Sequence, residues 1–141
     1  MMNAAVLKQL MAGIQADRSA YAELESLLEA QFGAIVRCDA PRLALLAESI
    51  LQLSAALDGR RCERERLLLE ALGVSRLTSI EQVFMRLPAD IATRCRAHWE
   101  ALCSKVQHCQ SLNTRNGRLM SEQHGLLTRV MFGDEDVYVS A

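Results

Sequence analysis

Asn113-Thr114-Arg115-Asn116-Gly117-Arg118-Leu119-Met120 sets two asparagines and a glycine into an apolar helical stripe that resumes directly afterwards. Upstream, Ile91, Cys95, Leu102, Val106 and Cys109 recur at intervals that fit one helical face. Downstream, Met120, Leu127 and Val130 keep the phase, with Gln123 occupying one turn. A glycine inside a helix costs about 1 kcal/mol relative to alanine. Asparagine at a helical seam also costs stability, and in coiled coils it sets register and partner number. Two readings follow. Asn116-Gly117 is a good C-terminal capping pair and ends the helix there, or one long helix runs through a polar notch kept for something other than stability. The continued phase favours the second.

Working outward, the chain is one of 141 residues, half of them apolar, with only six aromatics, two prolines and seven glycines. So few turn formers and so much leucine and alanine point to a helical protein; sandwiches and barrels need more turns. Sixteen basic and seventeen acidic residues are interspersed, with net charge −1, so the basic footprint of a nucleic-acid binder is absent. The amino-terminal residues lack the basic-then-apolar pattern of a signal peptide, and no uninterrupted apolar run of the ~18–20 residues that span a bilayer is read. Five scattered cysteines do not form a disulfide framework. These features predict a protein of the reducing cytoplasm without membrane insertion.

Periodicity predicts three long helices and a short one, an elongated antiparallel bundle over residues 1–131 followed by a flexible acidic and apolar tail over residues 132–141. The first helix runs from about Asn3 to Arg37. Leu7, Leu10, Ile14, Tyr21, Leu24, Leu28 and Ile35 alternate three- and four-residue steps, with Asp17 and Gln31 in the vacant seam positions. Asp39 caps a second helix with Pro41 in its first turn, and the short connection predicts an antiparallel return. In that helix, about Ala40 to Leu72, the leucine seam meets Arg60 and Arg64, and Gly73 ends it. The mixed charges of residues 60–66 read as a solvated, self-paired face, or as a contact patch for an acidic partner. Thr78 or Ser79 caps the short helix, and Leu87-Pro88 ends it. The last helix extends from about Ala89 to Met131. The tail that follows carries a glycine stop, three acids and a small apolar cluster around Tyr138.

Catalytic groups are largely missing. The chain has no phosphate loop, dinucleotide fingerprint or helical zinc-protease motif. Cys95-x-x-His98 is the best metal candidate, but Cys103 and His108 point elsewhere and Cys109 lies some 20 Å (about fourteen residues) along the axis. No cofactor, metal site or enzymatic activity is expected. What remains is surface. Met120, Leu126, Leu127, Val130, Met131 and Phe132 form a dense run after the notch. Such Met-containing surfaces suit adaptable docking of a partner helix, although the same residues could complete a bundle core.

The chain also resembles a known family. A long helix, an Asp-Ala-Pro-Arg turn, a second helix closing on Arg64-Glu65-Arg66-Leu67-Leu68-Leu69-Glu70-Ala71-Leu72-Gly73, and a long helix bearing Asn113-Thr114-Arg115-Asn116-Gly117-Arg118-Leu119 are together similar to FlgN, the bacterial flagellar export chaperones. Cys109 and Leu112 stand just upstream of the asparagine motif. The resemblance spans nearly the whole chain. It implies a cytoplasmic chaperone that holds the carboxy-terminal helical segments of hook–filament junction (hook-associated) proteins, prevents their premature assembly, and delivers them to the flagellar export gate. It also implies that partners bind the carboxy-terminal region. Asn113, Asn116, Gly117, Met120, Leu127, Val130 and Met131 are the expected partner-binding residues, the asparagines fixing register and Gly117 admitting a close backbone. The competing expectation is a self-associating coiled coil, a homodimer without a client.

Overall fold

The computed structural model describes the backbone of residues 3–76 and 79–139, and side chains as far as residue 133. Three long helices, α1 (Ala4–Val36), α2 (Ala40–Leu72) and α4 (Ala89–Val139), and the single turn α3 (Glu81–Phe84) make up the fold. Among the described residues there is no strand. The chain runs up α1, down α2 and up α4, so α2 is antiparallel to both neighbours while α1 and α4 are parallel.

Local chemistry sets the helix ends. Asn3 caps α1 by accepting a hydrogen bond from the Ala5 amide at 2.7 Å, satisfying one of the free donors of the first turn. After Val36, Cys38 takes a left-handed φ of 55°, and the Cys38 and Asp39 amides donate back to Ile35 and Ala34. Asp39 then caps α2 through the Arg42 amide, with Pro41 in the first turn. Gly73 ends α2 with φ 68°, and the Val74 amide donates to the Leu69 carbonyl, the closure expected of a glycine at this position. Of the two candidate caps of the short helix, Ser79 accepts from the Glu81 amide at 3.0 Å; Thr78 lies outside the described residues.

α1 is the central element. Leu10, Ile14, Leu68, Leu72, Val83 and Leu102 form one core layer, and Ala20, Leu24, Leu28, Leu57, Cys109 and Leu112 form the next. Phe84, Ala92 and Cys95 close the end where α3 sits, backed by Leu7, Met11 and Trp99. α2 and α4 both pack along α1 but touch each other sparsely.

Two features of the long helices go with this packing. The final helix is continuous through Gly117 and on past Met131; Gly133 alone leaves helical geometry, at φ 75° and ψ 171°. The backbone is described as helical as far as Val139, and the tail side chains, Tyr138 included, lie outside the described residues. Second, α2 does meet the length and apolarity of a membrane span by composition alone, through an 18-residue window of mean hydropathy 1.2, of which only 11% is buried. Glu48 and Gln52 interrupt the apolar run. Its heptad leucines Leu46 and Leu57 are packed, so the excess apolarity lies on α2's outward side, where Leu45 and Leu51 stand in solvent.

Candidate functional site: the carboxy-terminal half of the last helix

The site begins with how α4 is held. Three side chains on α4, seven residues apart, donate hydrogen bonds to three α1 carbonyls that are also seven residues apart. The Cys109 thiol reaches the Tyr21 oxygen at 3.5 Å, the Asn116 amide reaches Leu28 at 2.8 Å, and the Gln123 amide reaches Ile35 at 2.8 Å. Each pair is separated by the same 88 residues in sequence. This is a parallel ladder in strict heptad register. A shift of one residue would break every rung. The last rung brings a second donor to the Ile35 carbonyl in α1's final turn, which also accepts from the Cys38 amide.

Asn116 is the fully buried centre of this ladder, at 0% exposure. Its second amide contact is the Gln31 side-chain oxygen at 2.8 Å, and its own oxygen accepts from Arg115 at 3.2 Å. Both amide N–H groups of Asn116 are thus spent within the bundle, on the Leu28 carbonyl and the Gln31 side chain. The ladder also shows why Gln31 and Gln123 occupy seam positions. Asn113, three residues earlier, is exposed, so the motif is divided between the interior and the surface. Gly117 is half-buried, and a Cβ built on it would meet nothing within 4 Å. Among the described residues, none makes the close approach that a glycine would allow there.

Flanking the ladder, His108 faces Glu25 at 3.2 Å and Arg115 faces Glu29 at 3.3 Å, both from α4 to α1. Arg115 also lies over the Phe32 ring at 4.0 Å.

Beyond Gln123 the situation reverses. α1 ends at Val36 and the chain turns away into α2, while α4 goes on. Nine further residues, 124–132, carry it about 14 Å past the last rung at 1.5 Å per residue. Met120, Leu126, Leu127, Val130, Met131 and Phe132 are all exposed, Val130 at 75% and Met131 at 66%. Of the expected partner-binding residues, Met120, Leu127, Val130 and Met131 therefore come together as one open apolar stretch. Leu126 and Phe132 belong with them. Monomers rarely expose apolar side chains so densely without a partner surface.

A second concavity lies lower, between α2 and α4. Its volume is about 590 Å³; Asp17, Tyr21 and Leu24 floor it, and Leu57, Trp99 and Val106 are among its walls. Asp17, 2% exposed, is held by Arg60 at 2.5 Å and Arg64 at 2.6 Å, and Arg64 lies 5.7 Å from the centre of the Trp99 ring. The charged run 60–66 thus splits. Arg60 and Arg64 turn inward to the buried carboxylate, while Arg61 pairs with Asp58, and Arg66 with Glu63 and Glu70, on the exposed face.

The remaining chemistry is structural. The buried Cys95 thiol points at the Met11 sulfur at 3.3 Å, and His98 Nδ1 lies 3.1 Å from Arg18. Burial raises the pKa of the Cys95, Cys103 and Cys109 thiols, which keeps them protonated. Among the described residues no three metal-binding side chains converge.

Comparison with curated proteins and with solved structures gives no significant match. One family model does match, the FlgN protein, over residues 1–131. That range covers all three core layers, the register ladder and most of the exposed apolar stretch. The chain belongs to the FlgN family of flagellar export chaperones.

Proposed function

We propose that this protein works in the cytoplasm as an export chaperone for hook–filament junction proteins, taking their carboxy-terminal amphipathic helices onto the distal half of α4 and presenting them to the flagellar export gate. The observation that carries this reading is the run of exposed apolar residues from Met120 to Phe132, which continues the α4 stripe past the end of α1. A client helix that waits for its own packing partners until it reaches the filament tip needs a temporary apolar surface, and an amphipathic helix laid on another helix meets that need.

The size of the surface suits the task. Two and a half turns of helix bury far less than the roughly 1,200–2,000 Å² of a stable complex. Ordering the client segment costs a further few kcal/mol. The complex protects the client and still releases it.

Replacing Leu127 and Met131 together with Asp tests the reading. Both side chains are exposed, so helical circular dichroism should be unchanged, while co-purification of hook-associated proteins from flagellated cells should be lost. Undiminished capture of those clients removes the distal half of α4 from consideration. The second reading, a homodimer, is favoured by the exposed Leu45 and Leu51 of α2. Sedimentation showing a tight dimer without affinity for junction proteins would support it.

A further inference from the structure

The direction and chemistry of the bound helix are written in the way α1 already occupies the lower part of the same seam. Cys109, Asn116 and Gln123 are the polar rungs against α1 carbonyls; the next position in the repeat, seven residues on, is Val130. The seam becomes apolar at the point where α1 is no longer beside it. The flank follows the same rule. His108, Arg115, Glu122 and Arg129 recur every seven residues, and the first two face Glu25 and Glu29 of α1. Arg129 stands exposed beyond α1's end, with no acidic partner among the described residues.

We infer that the partner helix runs parallel to α4 as a coaxial continuation of α1, placing an apolar three-and-four stripe on Leu126, Leu127 and Val130 and an acidic residue level with Arg129. This rests on the proposed function, and it adds orientation and charge to it. Two facts support it: the continuity of the site with an interface the chain already makes, and a flanking positive charge, Arg129, that no acidic side chain among the described residues answers. The head-to-tail order also aligns the partner's helix dipole with that of α1. A helix of opposite direction would lose that alignment.

The probe is a synthetic peptide of this chain's own residues 20–36, which carry the α1 seam with Glu25 and Glu29, and a twin in which both glutamates are Lys. Binding to the full chain is read by fluorescence anisotropy. The acidic peptide should bind about fivefold more tightly than its twin, the scale of one well-placed exposed ion pair, and Arg129→Glu should reverse the preference. A spin label on the peptide's amino terminus should broaden amide signals near Gln123, and one on its carboxy terminus those past Gly133, since 17 helical residues span about 25 Å. Equal affinity of the two peptides, the opposite label pattern, or a peptide seated along residues 109–123 in place of α1 overturns the inference. So does self-association of the chain through this stretch in sedimentation. Loss of the peptide in Val130→Asp, with no response to Arg129→Glu, refutes the charge alone. Undiminished capture of both the peptide and the junction proteins by Val130→Asp refutes the proposed function with it.

Discussion

The two halves of α4 share one heptad phase and have opposite occupancy. From Ala89 to Gln123 the seam faces α1, and it carries Cys95, Leu102, Cys109, Leu112 and Asn116, all buried. From His124 to Phe132 it faces solvent and carries leucine, valine and methionine in the open. Ordinary protein logic would put polar residues where water is and apolar ones where the neighbour is. Here the fully buried position is asparagine and the most exposed seam position is valine. The polar rungs specify one alignment of α1 and α4, and that alignment leaves a defined length of apolar helix beyond the bundle.

The sharpest way to break the comparison is to disturb the fixed half. Asp17 is buried between Arg60 and Arg64, and removing one partner of a buried ionic group typically costs ~3–5 kcal/mol. Asp17→Ala should lower the unfolding free energy by about that much in urea titration; a loss below ~1 kcal/mol would mean that the two arginines find water as easily as they find Asp17. Asn116→Ala is next. It strands the Gln31 side chain and removes the central rung, so a loss of about 1–3 kcal/mol is expected by the same titration. An unchanged midpoint would show that the register is held by the leucines alone.

How far this division was legible in the sequence depends on the kind of contact. Helix ends read correctly because they are local: Asn3, Asp39, Pro41 and Gly73 act on backbone within three or four residues of themselves. The heptad phase read correctly for the same reason. Asp17, Gln31 and Gln123 were visible as gaps in the stripes, but their partners were not. Arg64 is 47 residues from Asp17, and Gln123 is 88 residues from Ile35. Phase tells which face a residue lies on; only the assembled bundle tells which neighbour that face meets. Asn116 is such a case: its place on the seam is readable, its bonds to Leu28 and Gln31 are not. Leu45 and Leu51 escaped notice because the Leu43, Leu46, Ile50, Leu53 seam beside them accounted for α2 by itself. Arg129 could have been found from the seven-residue repeat it shares with His108 and Arg115.

Smaller effects sharpen the comparison from the other side. Gly117 sits in helical backbone with open space at its Cβ. Gly117→Ala should raise stability by up to about 1 kcal/mol, seen as a higher thermal midpoint; destabilisation would reveal a close neighbour that the free chain does not show. Least of all should happen on changing the distal half in the absence of a client. Val130→Asp is expected to leave the unfolding free energy within about 0.5 kcal/mol of the parent. A larger loss would place Val130 in the protein's own core.

Hydrogen exchange read by mass spectrometry, on the full chain with and without the carboxy-terminal segment of a hook-associated protein, addresses the division of α4 directly. In the free protein, amides of residues 109–123 should exchange slowly and those of 124–132 quickly, since only the first set is packed. On adding the segment, protection should appear across residues 124–132 and leave 109–123 as it was. Protection confined to the cleft between α2 and α4, with residues 124–132 still exchanging fast, would contradict the account.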